Sequence, residues 1–185
     1  MRLEADTSGS RDTILSHRTV EVARRRDIGC LRVGMADDDD AIVSVLETLL
    51  GVGLPRQAGA TATAARRRGM WLAPRAWLVH CELDRETALA AAVGARFADG
   101  RAGALLYSDY LAWFELAGPG AETLLHSGGF VSFEADGLPI GHCKRTILMG
   151  LNAVIYRTGH ANWLVGVDRS RERYFTKWML DFEGS

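Results

Sequence analysis

At 185 residues, with 48% hydrophobic and 24% charged side chains, the chain has enough apolar material for one domain with a real core, which excludes a disordered tail. Its 22 Lys and Arg face 23 Asp and Glu, so no global field draws it to nucleic acid or to an anionic membrane surface. Three cysteines, Cys30, Cys81 and Cys143, stand far apart and outside any zinc-ribbon or redox spacing, and they read as reduced, mostly buried thiols.

Residues 1–26 mix Ser, Thr, Asp and Arg, with Ile14, Leu15, Val20 and Val22 as the larger aliphatics. With so little to bury, they predict an extended arm, either mobile or ordered by docking on a partner. No apolar run there suits a signal peptide, and no stretch of about 18 apolar residues could span a bilayer, which places the chain in the cytoplasm. Residues 27–185 are expected to form a single domain.

Ile28, Cys30, Leu31 and Val33 predict a first strand. Asp37 to Asp40 put acids where a helix start favours them, and Ile42, Val45, Leu46, Leu49 and Leu50 follow at helical spacing up to Gly51. The four aspartates lack the interleaved glycine and distal acid of a hard-cation loop, so they read as capping and solvation. Gly53-Leu54-Pro55 and the Ala/Thr/Gly-rich stretch to Ala65 read as a surface linker. Arg66, Arg67 and Arg68 follow as a solvated face, a site for a neighbouring chain's acids, or a phosphate site.

Met70 to Val79 reads as two strands around Pro74. Asp84 is expected to cap a helix carrying Leu89, Val93 and Phe97, ended by Asp99-Gly100. Ala104 to Tyr107 and Leu111 to Leu116 predict a strand pair turned by Ser108-Asp109, and Gly118-Pro119-Gly120 starts a short helix with Leu124 and Leu125 that Gly128-Gly129 stops. After a polar loop to Gly141, Cys143 to Tyr156, broken at Gly150, and Asn162 to Val167 read as a meander joined by Thr158-Gly159-His160. Asp168 is expected to open a last helix whose stripe of Tyr174, Phe175, Trp178, Met179 and Phe182 must be buried, in the core or in a partner groove. This order implies α+β, a mostly antiparallel sheet with helices packed on it.

Reactive chemistry is sparse. No P-loop or dinucleotide fingerprint occurs, and Ser108, Ser127 and Ser132 lie outside a nucleophile-elbow frame. His80-Cys81 and His142-Cys143 are neighbours whose side chains diverge on a strand, while His17, His126 and His160 stand alone, so no metal site is expected. Cys143 is either a buried structural thiol or, paired in space with His126 or His80, a nucleophile; only Lys144 and Arg145 lie near enough in sequence to lower its pKa.

Several segments, in order, resemble the gamma subunit family of heterotetrameric sarcosine oxidase and its relatives, including N-methylglutamate dehydrogenase. They are Gly53-Leu54-Pro55, Trp71-Leu72-Ala73-Pro74-Arg75-Ala76-Trp77-Leu78, Phe114 to Ala121 with Leu124-Leu125, Gly141-His142-Cys143 with Thr146, and Trp163 to Val167 leading to Trp178. The resemblance implies a fold similar to the folate-binding domain of aminomethyltransferases. It also implies a non-catalytic subunit of a flavin-dependent complex that oxidatively demethylates an N-methyl amino acid, sarcosine or N-methylglutamate. It assigns this chain no catalytic, cofactor-binding or metal residues. FAD, FMN, NAD and tetrahydrofolate are then expected in alpha and beta partners, and zinc in a delta partner.

Relatives in this fold often carry Asp-x-Ser where this chain has Leu106-Tyr107-Ser108, which weakens a stand-alone folate-dependent one-carbon transferase. Gly141-His142-Cys143-Lys144-Arg145-Thr146 keeps only the cysteine of a related iron-sulfur-maintenance family. A cysteine-dependent enzyme using Cys143 is the other alternative.

Overall fold

Three apolar runs, within Ala76–Glu82, Leu111–Ala117 and Asn162–Asp168, are buried on both faces, so each lies in a sheet covered on two sides. The structure, a computed structural model, describes residues 11–17, 19–129, 132 and 137–182. In chain order its strands and helices are β1 (Arg11–Ser16), β2 (Glu21–Arg25), β3 (Ile28–Met35), α1 (Asp40–Leu50), β4 (Thr61–Ala64), β5 (Arg67–Ala73), β6 (Ala76–Glu82) and α2 (Glu86–Arg96). There follow β7 (Ala102–Leu106), β8 (Leu111–Ala117), α3 (Ala121–Gly128), β9 (Cys143–Leu148), β10 (Leu151–Gly159), β11 (Asn162–Asp168) and α4 (Glu172–Leu180).

The strands form two sheets, one of order β1-β2-β8-β11-β10-β9 and one of order β4-β5-β6-β3-β7. Every neighbouring pair is antiparallel. Phe114, Leu116, Val165 and Ile155 on one face of the six-stranded sheet pack on Leu124 and Leu125 of α3 and on Phe175 and Met179 of α4. Leu31, Val33, Trp77 and Val79 of the five-stranded sheet pack on Leu46 and Leu50 of α1 and Val93 of α2. Cys30, Met70 and Leu78 meet Leu111, Trp113, Val154 and Tyr156 between the sheets. The layers are therefore helices, sheet, sheet, helices, an α+β fold of mostly antiparallel strands.

Local chemistry accounts for the best-read elements. Asp39 is the N-cap of α1, accepting from the Ala41 amide at 2.8 Å, and Arg56 pairs with both Asp38 and Asp40, so the acidic run serves the helix start. Gly51 ends the helix at φ 64°, where a Cβ is disfavoured. Met149 and Gly150, both at positive φ, make the hairpin turn between β9 and β10.

Five expectations are corrected. Residues 11–16 and 21–25 of the expected arm form a hairpin on the edge of β8, burying Val20, Val22 and Ala23; residues 1–10 lie outside the described residues. An edge hairpin needs only one apolar row, which a composition average does not distinguish from an unfolded segment. The linker contains β4, a short edge strand on β5. Β7 and β8 are not partners: β7 pairs with β3 and β8 with β2 and β11, so the turn at Ser108-Asp109 carries the chain from one sheet to the other. Asp84 caps nothing, because it lies inside a single 3₁₀ turn, Leu83–Arg85, that precedes α2, whereas Asp168 does open the last helix, standing just before the 3₁₀ turn Arg169–Arg171 that leads into α4, without a side-chain cap bond. The terminal stripe is buried at Phe175 and Met179 and half-buried at Trp178 and Phe182, while Tyr174 faces solvent.

Candidate functional site

The space between the sheets is where chemistry-bearing side chains converge. Trp113 lies across Gly166, its cross-strand partner, where a Cβ would stand 2.7 Å from the indole. Beside it His80 packs edge to face at 4.3 Å between ring centroids. His80 is buried and its Nε2 has no hydrogen-bond partner. Burial, then the charges of Arg68 and Arg25, push the His80 pKa down to about 3, so the imidazole is neutral at neutral pH.

Cys143 faces the same interior. Its thiol donates to the Trp71 carbonyl oxygen at 3.4 Å, and burial pushes its pKa up to about 11. Lys144 and Arg145 are exposed neighbours that do not lower it. His126 sits on α3, across the six-stranded sheet from Cys143, and His80 makes no hydrogen bond to it through Nε2. The nucleophile reading therefore finds neither a thiolate nor an engaged base.

His80 and Cys81 point to opposite faces, His80 onto Trp113 and Cys81 into the helix-facing cluster, as strand alternation requires. Burial, with Glu86, raises the Cys81 pKa to about 12, and burial raises that of Cys30 as well. His142 has Nδ1 3.3 Å from the Ile140 carbonyl oxygen, and His17 and His160 are exposed. Among the described residues no three His, Cys, Asp or Glu side chains are grouped for a metal.

Ser108, which the sequence marked as a turn residue outside any nucleophile frame, is a structural knot. Its hydroxyl accepts from the Cys30 amide at 2.7 Å and donates to Glu86, whose carboxylate also accepts from that amide at 3.1 Å. It thereby ties β3, the turn after β7 and the start of α2. Leu106, at the position of the acid in Asp-x-Ser relatives, is exposed beside the stacked rings of Tyr107 and Tyr110.

The interior opens at both ends of the β5–β6 ladder. Near Leu72 and Ala76, by Tyr107, Arg145 and Asp168, the opening is about 190 Å³, less than the roughly 300 Å³ at which small-molecule pockets begin. Near Arg68 and His80 it widens to about 1220 Å³. Arg68 and His80 are direct cross-strand partners on β5 and β6, so their side chains share a face. The Arg68 guanidinium stacks on Tyr156 at 4.1 Å, and its buried Nε has no hydrogen-bond partner. At the rim Arg25 pairs with Asp27 and Glu115, and Arg67 with Glu82. The arginine run and His80 both drew notice in the sequence, but their pairing needs strand register, and Arg25 belongs to the residues read there as an arm.

Residues 34–184 match the family model described as sarcosine oxidase, gamma subunit family. The chain belongs to the sarcosine oxidase gamma subunit family. The match covers the resemblance segments from Gly53 to Trp178. A heterotetrameric sarcosine oxidase from Corynebacterium sp. U-96, in complex with pyrrole 2-carboxylate, superposes on this gamma-family chain with TM-score 0.80 at 20% identity, over 97% of this chain and 90% of that one. The glycine cleavage system aminomethyltransferase T from Bartonella henselae aligns with TM-score 0.61 at 13% identity over 83% of this chain and 43% of that one. The regulatory subunit of aspartate kinase from Thermus thermophilus reaches 0.51 at 12% identity, over 86% and 95% respectively. At these identities the likenesses show the fold. No curated protein matches the chain by sequence.

Proposed function

We propose that this gamma-family chain is a non-catalytic subunit of a heterotetrameric, flavin-dependent complex that oxidatively demethylates an N-methyl amino acid, sarcosine or N-methylglutamate. The observation that carries the reading is the family match over residues 34–184, joined to a fold shared with a heterotetrameric sarcosine oxidase across nearly the whole chain. The cysteines support it, since all three are buried with pKa values raised and so hold no ready nucleophile. A flavin or folate does not fit the end of the interior beside Leu106 and Tyr107, where about 190 Å³ is open.

In this reading the FAD, FMN, NAD and tetrahydrofolate are held by alpha and beta partners and zinc by a delta partner, and the complex works in the cytoplasm. No helix among the described residues is long and apolar enough to cross a membrane. Leu105, Leu106 and Tyr110, exposed together around β7 and its turn, supply apolar surface of the kind association uses.

Co-expression with the neighbouring genes' products tests the proposal. The expected result is co-purification in fixed stoichiometry, with flavin and N-methyl amino acid oxidation in the complex and neither in this chain alone. Amine oxidation by the isolated chain, or its failure to associate with any flavoprotein, overturns it.

A further inference from the structure

We propose that the larger opening between the sheets binds a small molecule through an oxyanion, a phosphate or carboxylate group, held at its inner end by Arg68 and His80 and met at the mouth by Arg66 and Arg85. The site is independent of the assembly proposed above. Its geometry begins with register: β5 and β6 set Arg68 directly opposite His80, and both side chains face the six-stranded sheet, one on Tyr156 and the other on Trp113. Stacking fixes the plane of the guanidinium and leaves its edge to donate.

Both groups carry unmet hydrogen-bonding capacity. His80 is 5% exposed with Nε2 unpartnered, and the Arg68 Nε is buried without an acceptor. A buried polar group left unsatisfied is costly, so a ligand rich in acceptors supplies bonds that the protein itself does not make. An oxyanion fits, because it accepts from a guanidinium and from a neutral imidazole N–H together. A cation meets Arg68 unfavourably.

The surrounding charge agrees. Arg25 answers Asp27 and Glu115, and Arg67 answers Glu82, all as ion pairs within the protein. Arg66, Arg68 and Arg85 have no ion pair among the described residues, and Asp84 is the one remaining acid of the lining. The opening, about 1220 Å³, exceeds what one phosphate fills, so the anionic group anchors a larger molecule.

Isothermal titration of inorganic phosphate and of acetate into the full-length chain, each against chloride at equal ionic strength, is the test. Saturable one-to-one binding is expected, weakened about tenfold in Arg68→Met and severalfold in Arg66→Ser and His80→Gln, with Arg101→Ser unchanged as a control. Tighter phosphate assigns a phosphate-bearing ligand, and tighter acetate a carboxylate. Should Arg68→Met not fold, Arg66→Ser decides, since Arg66 is exposed and in no ion pair among the described residues. Heats no different from chloride, or affinities equal to wild type in Arg66→Ser and Arg68→Met, reject the site.

Discussion

A buried histidine makes the folded protein acid-sensitive in a direction its environment fixes. The His80 pKa falls from 6.5 to about 3 through burial and the nearby Arg68 and Arg25, so the unfolded chain takes up the proton near pH 6.5 and the folded chain only near pH 3. Stability from this group is full above about pH 6.5 and is lost as the pH falls towards 3. Between pH 7 and pH 5 urea unfolding should show a loss of about 2 kcal/mol that His80→Gln largely removes; equal slopes in the two proteins would dismiss this assignment. Cys143 gives a second residue-scale expectation. With a pKa of about 11, its thiolate is on the order of one part in ten thousand at pH 7, so a thiol reagent should label it only at the rate of unfolding. Stoichiometric labelling of Cys143 in native protein would instead revive the nucleophile reading.

At the scale of elements, α4 is held by one polar clasp as well as by its apolar face. Arg24 of β2, 3% exposed, lies over the Phe114 ring and donates through Nε to Glu172 at 2.6 Å, the first residue of α4. Glu172→Met leaves a buried guanidinium with only the Arg25 and Trp113 carbonyl oxygens to meet it among the described residues. A loss of about 2 kcal/mol is expected, because Glu172 is partly solvated. The double replacement Arg24→Met with Glu172→Met should recover much of it. Urea denaturation of the single and double variants reads both, and additive losses would remove the clasp. Α1, β9, β10 and β11 were legible because caps, positive-φ turn residues and alternation lie close together in sequence. Β4 was not, since TATA at a sheet edge has the composition of a linker.

For the whole molecule, the N-terminal hairpin decides whether the six-stranded sheet ends in a covered edge. Val22 pairs with Leu116, and the Thr19 carbonyl oxygen accepts from the Gly120 amide at 2.7 Å, so the hairpin also clasps the start of α3. Removing residues 1–26 withdraws Val20, Val22 and Ala23 from the core, a loss of several kcal/mol at about 1.5–3 kcal/mol for each larger aliphatic side chain. Soluble expression should collapse, and a truncated chain melting at the wild-type temperature would restore the arm. From the sequence alone came the α+β class, the ends of α1 and α3, the β9–β11 meander and the family, because each rests on neighbours within a few residues or on ordered local motifs. Only the tertiary structure separated β7 from β8 into different sheets, folded the hairpin onto β8 and set Arg68 against His80. Those outcomes depend on which strand lies beside which, and pairing energy between distant segments leaves no trace in the local pattern of either one.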